Sequence, residues 1–381
     1  MPRETRRPQK INNSGIKIAL LLIIVAAAIL FAIMQLSEPT RYAEQAEFTA
    51  AGVGLTYSRS VAGFHATDNG FFFFNGDAIS FYGTDLLAMN QNVYMNNPSF
   101  SGRGDFAVIL EQGGRTARVF NEAGEIFTAI TNDPILNYSL SAAGHLTLIT
   151  SGNDIYTLHL FGTRGELLLS NDLTHERHIP IASDVSRDGR RMALAFLDIS
   201  GAELNFIVFL YQITDNTAAI VASNGYNHGQ MLSELRFMGN NNLITISDSE
   251  IRSYNENGAI IASVPIGNVI DAVSFTDSYI AMALGENHLN RAGEVFGTIL
   301  FLNENLTRVS TFVSNNPVLR LSKNHNSALI TAGRELIAVS SSGDVLWRRI
   351  LTHDIIYAAF LQSTQSIIVA GNEQAQVFYV E

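Results

Sequence analysis

Ser99-Phe100-Ser101-Gly102-Arg103-Gly104-Asp105-Phe106-Ala107-Val108-Ile109-Leu110 reads as a hairpin. An apolar residue near Phe100 closes one strand, a polar turn with glycine follows, and an unbroken apolar run forms the next strand. The pattern recurs around Phe64, Leu140, Val185, Phe237, Phe275, Leu321 and Phe360, at steps of 36, 40, 45, 52, 38, 46 and 39 residues. Strand-length apolar runs repeating every 40–50 residues mark the blades of a propeller. The expected fold is therefore all-β, an eight-bladed β-propeller. Seven blades is the alternative, because the first repeat (Phe71–Phe74, Ala78–Tyr82) is the least regular.

Around each hairpin the sequence supplies four strands. In the second repeat they end near Phe100 and run over Phe106–Leu110, Thr116–Phe120 and Glu125–Ile130, with a turn at Asn121-Glu122-Ala123-Gly124. The turns Gly162-Thr163-Arg164-Gly165, Asn255-Glu256-Asn257-Gly258 and Ser341-Ser342-Gly343-Asp344 occupy the same place later in the chain. Glycine and asparagine suit the positive φ that hairpin turns require. The last repeat offers three strands, Ile355–Phe360, Ser366–Ala370 and Gln376–Val380. Its missing fourth is expected to be Val53–Arg59, so that one blade built from both ends closes the ring and removes its free edges.

Ahead of the repeats stands Ile18–Leu36, uncharged and with Gln35 as its one polar residue. At 1.5 Å per residue it spans roughly 28 Å, the depth of a bilayer's hydrocarbon. The run is long for a cleaved signal, so one transmembrane α-helix acting as an uncleaved signal anchor is expected. Five basic residues against Glu4 in residues 1–17 give that tail a charge of +4. Such a flank stays cytoplasmic, which puts everything after Ser37 outside the membrane. The expected order is a basic tail (1–17), the anchor (18–36), a stalk (37–51) with a helical turn around Tyr42–Phe48, and the propeller (52–381).

Composition removes several functions. The 381 residues contain no cysteine, which excludes disulfides and thiolate chemistry. The net charge is −11, so the chain beyond the tail carries −15, and its one lysine is Lys323. An acidic body repels phosphate backbones, and no nucleic-acid partner is expected. No cofactor is expected: no nucleophile elbow, phosphate-cradling glycine loop or repeated calcium loop is present.

Three shorter patterns read as structure. Thr174-His175-Glu176-Arg177-His178 has two histidines three apart in a loop, not the four-apart pair on a helix that a zinc protease uses, so no metal site is expected. Arg103-Gly104-Asp105 spells an adhesion tripeptide but occupies the repeat's own turn. Asp68, Asp188 and Asp277 lie in equivalent hairpins, where an aspartate ordinarily bonds its own backbone.

Gly343-Asp344-Val345-Leu346-Trp347, with glycine four before tryptophan, resembles a repeat of the quinoprotein-like propellers. Val185-Ser186-Arg187-Asp188-Gly189-Arg190-Arg191-Met192-Ala193 is similar to the hairpin of WD-repeat propellers. The whole layout is similar to bacterial membrane-anchored propellers of unknown function. That resemblance implies a fold and a place outside the membrane, not an activity. The adjacent cysteine pair of quinoprotein dehydrogenases is missing.

Function is expected on the top face, where second-to-third turns and the crossings between blades gather. Two of the longest such loops, Ser223–Gln230 and Gly285–Glu294, offer Tyr226, His228, Glu286, His288 and Arg291 as contact residues. The expected function is a membrane-anchored scaffold that binds a protein or a cell-envelope polymer. The alternative is an envelope glycan hydrolase with paired acids in the central funnel, and a sensor using the basic tail is a third reading.

Overall fold

The computed structural model describes residues 46–58, 63–83, 86–153, 155–173, 177–214, 217–226, 230–267, 269–276, 278–285, 296–324, 326–361 and 363–381. The expected basic tail, anchor and stalk up to Gln45 lie outside them. The described chain forms eight four-stranded antiparallel sheets. Each is one blade, and in blades 1 to 7 the strands run outward in chain order. The inner strands are Gly63–Ala66, Pro98–Arg103, Ile135–Leu140, His178–Val185, Leu232–Phe237, Val269–Phe275, Arg320–Asn324 and Tyr357–Leu361, for blades 1 to 8.

Blade 8 draws on both ends of the chain. Its outer strand is Phe48–Thr56, paired with Gln374–Val380 so that Phe48 faces Val380 and Thr56 faces Gln374. The strand begins five residues before the expected Val53 and stops at Thr56. The Ala50-Ala51-Gly52 stretch hides the alternation, because the register slips between Ala50 and Gly54. Bonds from the Glu381 amide to the Glu47 carbonyl and from the Tyr57 amide to the Glu373 carbonyl, both 3.0 Å, extend the pairing. Across the seam to blade 1, the Ala66 amide donates to the Tyr357 hydroxyl at 2.9 Å.

Eight apolar clusters hold the ring, one for each pair of neighbouring blades, including blade 8 against blade 1. Second strands are apolar on both sides because each blade is sandwiched between two others; hence unbroken runs such as Phe71–Phe74 and Tyr279–Leu284. Outer strands are exposed on one side and alternate. Leu87–Asn92, reading LAMNQN, is such an outer strand in blade 1. In blades 1 to 7 the pairing of third to outer strand carries a register shift near the bottom. Such bulges sharpen the twist each blade needs to lie on the next.

The hairpin of blade 2 departs from the expected anchor register. The inner strand of blade 2 does not end near Phe100 but runs on to Arg103, which pairs with Phe106. Gly104, at φ +58, then makes the turn that a side chain would strain. Gly102 is needed for another reason: a Cβ there would sit 2.1 Å from the His65 ring of blade 1.

Candidate functional site

The inner strands border the axis of the ring, and runs of their residues, such as Leu136–Leu140 and Arg320–Lys323, face the space along it. Those residues build the channel. Asp184 from blade 4, 1% exposed, is its most heavily bonded member. Its carboxylate pairs with both terminal nitrogens of Arg103 from blade 2, accepts from Ser139 Oγ of blade 3 at 3.3 Å, and accepts from the Phe237 amide of blade 5 at 2.7 Å. Arg103 also donates to the Leu140 carbonyl at 3.1 Å. One carboxylate thus joins four consecutive inner strands. The turn reading of Arg103-Gly104-Asp105 missed this, since the extension of the strand turns the arginine into the channel.

Around this knot lie two open chambers and a waist. The larger chamber, about 770 Å³, runs along blades 6, 7, 8 and 1, with His65, Asp68, Asp105, Arg187, Arg320 and Lys323 among its lining. The smaller, about 400 Å³, lies against blades 2 to 5 and is lined by Arg103, Asn137, Ser139, Asp184, Glu234 and Arg236 among others. The waist between them holds about 40 Å³.

Charge in the channel is tuned by burial. The His65 imidazole is pushed down to about 4 by burial, with Lys323 nearby adding to the effect; its Nε2–H donates to the Gly104 carbonyl at 2.8 Å. Asp105 lies against the backbone of Asp68, and its carboxyl is raised first by burial and then by the Asp68 charge. Asp188 behaves as a turn residue should. Burial works to raise its carboxyl, but bonds from Ser186 Oγ at 2.6 Å and the Arg190 amide at 3.1 Å overcome that and hold it low. Asp277 lies outside the described residues.

The top-face residues fall differently. Tyr226 is 6% exposed and packs in the cluster between blades 4 and 5. Its ring lies 4.2 Å from the Arg252 guanidinium, and its hydroxyl bonds Thr245 and, at 3.3 Å, Tyr254. The outer strand of blade 4 runs through Gly225, so the crossing is shorter than Ser223–Gln230 and begins with a side chain folded inward. His228, Glu286, His288 and Arg291 lie outside the described residues. Of the histidine pair, His175 is also outside them, while His178 starts an inner strand with Nε2 3.6 Å from Asp198 Oδ1. Among the described residues no group of three His, Asp or Glu side chains is placed to hold a metal ion.

The top face has another signature. Among the described residues, its turns and crossings expose Tyr94 (88%), Ile199, Leu204, Met231 and Leu319, whereas the bottom-face turns expose one large apolar side chain, Leu86. The first residues of the outer strand of blade 8 lie at the bottom, paired with the end of Gln374–Val380. The chain therefore joins the ring at the face opposite these apolar side chains.

A closed ring of eight sheets with a charged channel and an apolar top rim defines a β-propeller, a rigid frame suited to a binding or scaffold module. The chain belongs to the family of unknown function DUF5711, whose profile matches residues 44–379. No curated protein matches it in sequence. Solved structures agree on the fold. The Dos1 propeller is 9% identical with a TM-score of 0.56, over 87% of this chain and 95% of that one. Sqt1 from Chaetomium thermophilum is 12% identical with a TM-score of 0.53, over 87% of this chain and 100% of that one.

Proposed function

We propose that this chain is a single-pass membrane protein with a cytoplasmic N-terminus, whose propeller stands outside the membrane as a scaffold and binds a protein through its top face. The apolar run 18–36 with its basic flank supports the anchor. The observation that carries the binding role is the set of large apolar side chains on the turns and crossings of the top face. Aromatic and large aliphatic anchors are what protein interfaces use, and a sugar polymer would call for more polar lining.

Photo-crosslinking residues placed at Tyr94 and Leu204, against Glu122 and Arg164 in bottom-face turns, test it in intact cells. Defined protein adducts from the top positions alone are expected; equal labelling from both faces overturns the reading. A reporter fused after Glu381 that is active only outside the membrane checks the orientation, and activity of a cytoplasm-only reporter overturns it.

A second reading rests on Asp68 and Asp105. Two neighbouring acids, Asp105 raised first by burial and then by the Asp68 charge, line the larger chamber, where a glycan hydrolase would place its acids. Release of soluble fragments from purified cell-wall glycan by the full chain, lost in Asp105→Asn, would favour it; no release would remove it.

A further inference from the structure

The smaller chamber, about 400 Å³ and walled by the inner strands of blades 2 to 5, has the size of an ordinary small-molecule site. Its charges cancel. Two arginines and two carboxylates line it, and they are paired with each other: Arg103 with Asp184, and Arg236 with Glu234 at 3.3 Å. A charged ligand meets both signs at close range, so neither an anion nor a cation gains net attraction.

The neutral polar groups of the wall say more, because their donors are already committed to the fold. Ser139 Oγ donates to Asp184 Oδ1 at 3.3 Å, Ser233 Oγ to the Ile246 carbonyl at 3.1 Å, and Asn137 Nδ2 to the Ile181 carbonyl at 2.7 Å. A carboxylate or a carbonyl only accepts, so the side chain is the donor in each bond, and the amide of Asn137 is oriented by its own. Acceptor capacity is what remains: the lone pairs of Ser139 Oγ, Ser233 Oγ and Asn137 Oδ1. A molecule that fills the chamber must bring the protons. Ser101 and Ser183 add hydroxyls from blades 2 and 4.

We propose that the smaller chamber binds a short neutral sugar of one or two rings, with its hydroxyls donating to Asn137, Ser139 and Ser233. Several hydrogen-bond donors on one small uncharged body is the chemistry of a sugar. Leu136, 52% exposed, also lines the chamber and offers an apolar contact for the C–H face of a ring. Leu136 and Ser233 are each the second residue of an inner strand, next to the crossings, so the sugar enters from the top face. The site is separate from the apolar rim and stands whether or not the rim binds a protein.

Saturation-transfer NMR on the purified full chain tests it with glucose, glucosamine and glucuronate, which share a ring and differ in charge, and with maltose as the two-ring probe. Saturable binding of glucose or maltose is expected, with both charged sugars weaker than glucose by about threefold or more. Ser233→Ala, checked by circular dichroism for an intact fold, is expected to weaken binding about threefold or more, the loss of one hydrogen bond. Asn137→Leu removes an acceptor and narrows the chamber, and a loss of about tenfold or more is expected. Should it fail to fold, Ser139→Ala takes its place, with the same loss expected as for Ser233→Ala. No saturable binding of either neutral sugar at millimolar concentration overturns the proposal. So does a charged sugar that binds as tightly as glucose, or unchanged affinity in the variants that fold.

Discussion

The layers between the blades and the wall of the channel obey different rules. Between blades, packing is apolar and continuous: Phe301, fully buried, lies among Ala328, Ile330 and Val339 of the next blade. Along the channel, one arginine and one carboxylate tie strands that are 81 residues apart in sequence. The first kind of contact is made by composition, and many sequences could make it. The second needs particular residues at particular registers. The comparison teaches that stability here is spread around the ring, while chemical identity is concentrated on its axis.

Removing a large side chain from a layer tests the first half of that contrast. Phe301→Ala is expected to cost about 4 kcal/mol, read by denaturant unfolding, because it leaves a cavity between two blades that cannot collapse. A loss below about 1 kcal/mol would show the layers to be loosely packed. Asp184→Ala tests whether one channel residue reaches the same scale. It leaves Arg103 buried without its anion and is expected to cost about 3 kcal/mol. A near-neutral result would make the knot decorative and break the comparison on the channel side.

Acid should weaken the ring through its buried histidines. The His65 imidazole binds its proton near pH 4 in the folded ring and near 6.5 when unfolded. Between those values the unfolded chain holds more protons, so folding stability rises with pH through the window and is lost as pH falls through it. The contribution is on the order of 2 kcal/mol after allowance for the partial exposure of the ring. Burial also lowers His145 and His159, so they add loss in the same direction. His65→Gln, which keeps a donor toward the Gly104 carbonyl, is expected to flatten the difference in stability between pH 7 and pH 5; an unchanged slope would remove His65 as its source. The smallest effect belongs to the rim. Arg334 and Asp354 form a 2.8 Å pair with more than half of each side chain exposed, and Arg334→Ala is expected to change stability by less than about 0.5 kcal/mol.

Much of the layered half was legible in the sequence. Apolar runs such as Phe106–Leu110 and Tyr279–Leu284 mark strands covered on both sides, and their spacing marks the blades. Closure by a strand from the N-terminal side followed from counting three strands in the last repeat. The axial half was not legible. Whether Arg103 lies in a turn or on a strand depends on how far the hairpin runs, and three residues decide it. The partnership of Arg103 with Asp184 appears only once eight inner strands are set around one axis. Tyr226 shows the same limit from the other side. An aromatic residue amid polar ones reads as a contact residue, but the crossing it begins folds it under Arg252, where its hydroxyl finds Thr245.

The seam in blade 8 has a consequence for how the molecule is made. The partners Phe48 and Val380 are separated by 332 positions, so the ring is finished only when the segment at 374–380 has left the ribosome. Until then the earliest strand waits with its edge bare, next to nascent sheets that could claim it. Joining ends so far apart costs about 5 kcal/mol of chain entropy, which blades already stacked in order would largely have settled beforehand. Assembly therefore ends with a zipper, and a translation pause shortly before residue 374 would hold open the one edge that invites aggregation.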